Sequence, residues 1–205
     1  MASCSEDNSI KLFNIKENKY EVLQTLNDHN GWVYKIIELK NKALVSCSHD
    51  CSIIFYIKDN IKYKKDYQIS INGSCYNIIQ TKDNEICYDE DDNDTICFYD
   101  LLERKVKSSI SNISNCYNMI MMRKDLLLII GENKISIINI NNYKLRIINV
   151  PETNGIFGVC ILNQNMLLTG DESKIIRQWR IEGDNLILIS KTKKRMMMLF
   201  MVYWI

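Results

Sequence analysis

Proline occurs once in this 205-residue chain, histidine twice and glycine seven times. With Gly and Pro so scarce, Asn and Asp must supply the turn chemistry. Two histidines, His29 and His49, restrict any Ser–His–Asp site to one of them, and no GxSxG context accompanies either. GxxxxGK[ST] and GxGxxG loops are missing, which leaves no phosphate cradle and no cofactor site to expect. Charge of one sign is also lacking. Against 25 Asp and Glu stand 26 Lys and Arg, a net charge of +1 without the broad positive field of a nucleic-acid binder.

The eight cysteines form no CxxC pair, and no signal peptide precedes them. Most sit in apolar stretches, as Cys97 does between Ile96 and Phe98 and Cys160 between Val159 and Ile161. They read as reduced core residues of a cytoplasmic or nuclear protein that is not secreted. The most apolar run, Met196 to Ile205, falls short of the ~20 residues of a membrane helix, so no membrane association is expected. A metal site from Cys47, His49 and Cys51 is opposed by strand alternation, which sends neighbours to opposite faces.

What is present is repetition. SCSEDNSI (Ser3 to Ile10) returns as SCSHDCSI (Ser46 to Ile53) after 43 residues. Ile10, Ile53, Ile96, Ile135 and Ile176 open hydrophobic runs at steps of 43, 43, 39 and 41. A second ladder, Tyr34, Tyr76, Tyr117 and Phe157, keeps steps of 42, 41 and 40. Two independent marks sharing a period establish a repeat protein. Each unit holds about four short strands rich in β-branched and aromatic residues, and runs such as Leu126 to Ile130 suit strands covered on both faces. A four-stranded antiparallel unit cannot bury both faces alone; stacking such units radially predicts an all-β propeller.

The motif residues resemble the WD40 repeat. His29 opens HNGWV, Ser46 stands four before Asp50, and Tyr56 stands six after it. Ser3, Asp7 and Phe13 keep that spacing, as do Thr169, Ser173 and Trp179, with Ser173 in place of Asp. The resemblance implies a buried polar network of His29, Ser46, Asp50 and Tyr56, in which Tyr56 offers its hydroxyl where the family's Trp offers an indole N–H. Glu152 takes the His place before Phe157, and the unit containing Ile138 has lost most of the polar set.

The units read as one propeller domain over 1–205: a partial unit at 1–27, full units at about 28–71, 72–111, 112–151 and 152–191, and the start of another at 192–205. Three, sixteen and one strands make about five blades, either closed into a ring or part of a larger, seven-bladed propeller. The partial case implies self-association through uncovered blade faces. The resemblance further implies a non-enzymatic scaffold that binds other proteins through loops on one face; a truncated, non-functional fragment is the alternative. The residues placed on that face are Trp32, Asn30, Glu6, His49, Ser74 and Asn115, with Gly155 at the matching place of the last full unit. YDEDDND (Tyr88 to Asp94) reads as a solvated acidic turn, with Asp91 and Asp92 as contacts for a basic partner.

Overall fold

The structure, a computed structural model, describes residues 1–16, 19–113, 116–150, 153, 155–183 and 185–193. Asn115, Glu152 and the Met196 to Ile205 tail lie outside the described residues. The chain divides into two compact units, one spanning Met1–Ser111 and one beginning at Asn112.

The first unit opens with a three-stranded sheet, β1 (Ala2–Cys4), β2 (Ile10–Lys16) and β3 (Lys19–Leu26). Two four-stranded sheets follow: β4 (Val33–Glu38), β5 (Leu44–Ser48), β6 (Ser52–Asp59) and β7 (Lys62–Ser70), then β8 (Ile78–Lys82), β9 (Glu85–Glu90), β10 (Thr95–Asp100) and β11 (Lys105–Ile110). The second unit holds β12 (Asn118–Arg123), β13 (Leu126–Ile130), β14 (Lys134–Asn139) and β15 (Lys144–Asn149), then β16 (Ile156–Asn163), β17 (Met166–Asp171), β18 (Ile175–Glu182) and β19 (Asn185–Lys193). Every sheet is an antiparallel meander in chain order, the form of a propeller blade. The sixteen strands expected in the four full units, and the three before them, are all found.

Alternation along the strands explains why the middle of each sheet is apolar throughout. In β5 and β6, Leu44, Ile54 and Tyr56 face a core shared with Ile10, Leu12 and Leu26 of the sheet before. Val45, Cys47, Ile53 and Phe55 face the opposite core, with Ile78, Ile86 and Tyr88 of the sheet after. Each blade therefore needs a neighbour on both sides. In the second unit, Leu126, Leu128, Ile130, Ile135 and Ile137 pack with Ile156, Leu167 and Trp179 in the same way.

In most sheets the outer strand carries a one-residue bulge opposite the aromatic position of the strand it pairs with. Register shifts fall at Leu12/Phe13, Phe55/Tyr56, Phe98/Tyr99 and Gln178/Trp179. The sheet with Ile138 in that place pairs β14 with β15 without a shift. Each bulge bends the outer strand and adds local twist beside the aromatic residue, whereas β15 runs regularly beside Ile138.

Turns follow the scarcity of glycine. Asn8 takes positive φ in the β1–β2 turn, and Cys51, Asp94 and Lys174 do so in the β5–β6, β9–β10 and β17–β18 turns. Elsewhere Asn acts through its side chain: Ala43 N–H donates to Asn41 Oδ1, Asn141 N–H to Asn139 Oδ1 and Lys144 N–H to Asn142 Oδ1.

Two expectations need correction. Cys160 is exposed on β16, although Cys97 is buried as expected. The apolar neighbours of Cys160 alternate about it, so its own side chain takes the outer face. In YDEDDND only Asp91, Asp92 and Asp94 belong to a solvated turn, a short 3-10 helix over Asp91–Asn93 ending in Asp94. Asp89 and Glu90 end β9 and are buried.

Candidate functional site

The polar network forms in the β4–β7 sheet. His29 Nδ1 lies 2.9 Å from Asp50 Oδ2, and His29 Nε2 lies 2.7 Å from Ser46 Oγ. Asp50 also accepts the Asn30 N–H at 2.8 Å and the Ser52 hydroxyl at 2.6 Å. These bonds hold the Asp50 carboxyl below its usual pKa against the opposing effect of burial. Burial pushes the His29 pKa down, opposed by Asp50. The neutral ring then donates from Nδ1 to Asp50 and accepts the Ser46 hydroxyl at Nε2.

Ser46, His29 and Asp50 thus have the connectivity of a catalytic triad. Ser46, however, is 0% exposed in the middle of β5, where no substrate carbonyl can reach its Oγ. The network braces the turn at one end of the sheet. Tyr56 departs from expectation: its ring is buried, but its hydroxyl, though near Ser46 and Asp28, makes no hydrogen bond.

Other sheets keep parts of the network. Ser9 donates to Asp7 Oδ1 at 2.6 Å, as Ser52 does to Asp50, and these bonds with Ser9 lower the Asp7 pKa to about 2. In the last sheet Trp179 Nε1 donates to Thr169 Oγ1 at 2.9 Å. There the buried carboxylate is Asp171, two residues before Ser173, and it pairs with buried Arg177. In the β8–β11 sheet Asp89 stands 43 residues after Ser46 and accepts the N–H groups of Tyr76 and Asn77 at 3.0 and 2.7 Å. Desolvation dominates there and raises its pKa to about 6. Nothing in the turn reading of YDEDDND disclosed this carboxylate; its offset from Ser46 was the available signal.

The braced end presents an aromatic group. Trp32 is 48% exposed, and its backbone carbonyl accepts the His49 N–H at 2.9 Å. Ring centroids lie 6.1 Å apart for Trp32 and His49, 6.4 Å for Trp32 and Tyr34, and 6.3 Å for Tyr34 and His49. Tyr34 meets Tyr76 of the next sheet at 4.4 Å. His49 is therefore on the surface while Cys47 is in the core, so the two do not converge on a metal.

Backbone bonds fix this end across three sheets: Val33 N–H to Ser5 O at 3.1 Å, Cys75 N–H to Ser48 O at 3.2 Å, and Asp91 N–H to Ser74 O at 3.0 Å. Space is tight beneath it. A Cβ on Gly31 would stand 3.0 Å from Asp50 N, and one on Gly73, at φ +93°, would stand 2.6 Å from Asp92 Cγ. Asn30, Glu6, Asp91 and Asp92 are exposed and Ser74 half-buried. In the second unit Tyr117 and Phe157 stack at 4.8 Å, beside Gly155.

Residues 20–56 match the family model described as WD domain, G-beta repeat. No curated protein matches the chain. Among solved structures it is similar to the WD40 beta propeller domain of Doa1, with a TM-score of 0.74 and 19% identity, covering 89% of this chain. The chain spans 60% of the length of that one. Matches extend to 1196 solved chains, a fold shared so widely that function has to be argued from the surface.

Proposed function

On the premise that the chain carries a WD40 repeat within a WD40 propeller fold, we propose that it is a non-enzymatic platform for protein–protein contacts. The contact surface is the braced end of the first unit, centred on Trp32 and His49 with Asn30, Glu6, Ser74, Asp91 and Asp92 around it. The observation that carries this reading is the half-exposed Trp32, held in an aromatic group whose backbone is tied to neighbouring sheets. Rigid aromatic anchors of this kind dominate protein interfaces because they bury large area at little entropic cost. Cytoplasmic or nuclear residence belongs to the proposal, supported by the placing of Cys47, Cys75, Cys87, Cys97 and Cys116 in the apolar core.

Affinity capture with wild type and with the Trp32→Ala, His49→Ala double variant tests it. Different partner sets are expected; identical sets from two equally stable proteins would remove this surface from the account.

A further inference from the structure

Glu6, Trp32, Tyr34, His49, Tyr76 and Asp91 come from three sheets of the first unit and gather at one end of it. The rings of Trp32, Tyr34 and His49 lie within 6.1 to 6.4 Å of one another in edge-to-face and tilted pairs, which hold Trp32 in place while its ring stays 48% exposed. An aromatic face carries partial negative charge and attracts a cation placed within about 6 Å of its centroid.

The charges acting on this group have the same sense. Tyr34 is pushed up to about 12 by desolvation, then Tyr76, then the carboxylates of Glu6 and Asp91. Both carboxylates are exposed, and among the described residues neither takes part in an ion pair. Lys35, the next residue on β4, acts on the Cys4 thiol of β1. A purely apolar partner would cover the rings and strip water from the carboxylates without replacing it. A basic one satisfies rings and carboxylates together.

We infer that this cluster is a receptor for a basic side chain, a lysine ammonium or arginine guanidinium presented by a partner polypeptide, with Trp32 and Tyr34 as the seat and Glu6 and Asp91 as the counter-charge. The inference rests on the platform reading and gives its partner a chemistry. Asp91 is the one contact of the acidic turn that it uses.

The test titrates the full chain with capped heptapeptides of Gly and Ser carrying a central Arg, Lys, norleucine or Glu, followed by the Trp32 indole and tyrosine ring resonances. The Arg and Lys peptides are expected to bind between about 2-fold and 30-fold more tightly than the norleucine peptide, the range of a cation over aromatic rings. The Glu peptide should be weakest. Trp32→Ala should abolish the preference, and Glu6→Gln with Asp91→Asn should reduce it and its salt dependence while leaving the rings in place. Norleucine binding as tightly as Arg and Lys, an undiminished preference in the carboxylate variant, or no peptide shifting these resonances would each overturn the inference. If captured partners are lost on Trp32→Ala while basic peptides show no advantage, the platform stands and the cationic anchor falls.

Discussion

Trp179 donates its indole N–H to Thr169 Oγ1 across ten residues, linking β18 to β17, whereas Tyr56, at the same offset from Ser46, leaves its buried hydroxyl without a partner. Two sheets of one chain thus solve the same position differently. Removing the acceptor in the first strands a buried donor, which costs about 1–3 kcal/mol. Thr169→Val is therefore expected to destabilise by about that amount. Tyr56→Phe removes a desolvated hydroxyl that bonds to nothing and should be neutral or stabilising by up to ~1 kcal/mol. Urea unfolding of the two variants checks the contrast.

His29 links Asp50 to Ser46, so His29→Ala leaves a buried hydroxyl and part of a carboxylate without a partner. The expected cost is about 2–4 kcal/mol, read from denaturant midpoints at pH 7.5. Burial holds the folded His29 pKa below its ordinary 6.5, so the unfolded chain takes up the proton first. The stabilisation is complete above pH 6.5 and is lost as pH falls below it. The gap between wild type and His29→Ala should narrow accordingly.

Asp89 has the opposite sign. Its folded pKa of about 6 exceeds the ordinary 3.8, so the folded state binds the proton more tightly. Between those values stability from this group falls as pH rises, and above about 6 the full penalty remains, roughly 3 kcal/mol. Asp89→Asn keeps an oxygen for the Tyr76 and Asn77 N–H groups and removes the charge. The variant should gain on wild type steadily from pH 4 to 6 and hold that gain at pH 8. Unfolding at these three values checks it.

Much of the architecture was legible because the turn phrase and the Tyr34 ladder repeat with the length of one blade. The His29, Ser46 and Asp50 network was legible through the resemblance to the WD40 repeat, whose motif places these residues occupy. Asp89 and Glu90 were hidden because acidic residues in a run read as solvent-facing, while strand pairing with β10 carries both into the interior. The meeting of Tyr34 with Tyr76 was hidden for another reason: a ladder shows that two rings hold equivalent places, and only the packing of adjacent sheets brings them to 4.4 Å. Asp171 with Arg177 replaced the expected Ser173 because a buried cation can satisfy a carboxylate where no histidine is available.

Cys51 sits at φ 59° in the turn that Asn8 and Asp94 occupy in neighbouring sheets. The left-handed region costs an ordinary side chain about 1 kcal/mol and Asn less. Cys51→Asn should therefore stabilise by about 0.5–1 kcal/mol, measured as a rise in melting temperature with the capture behaviour unchanged.

The most direct measurement compares the two ends of the first unit as contact surfaces. Ile61 and Leu102, 86% and 74% exposed, lie in the β6–β7 and β10–β11 turns, at the end away from Trp32. Quantitative capture should show partners lost by at least about tenfold with Trp32→Ala plus His49→Ala, the scale of an aromatic hot spot. Ile61→Ser plus Leu102→Ser should leave them in place. Loss confined to the second pair would contradict the account.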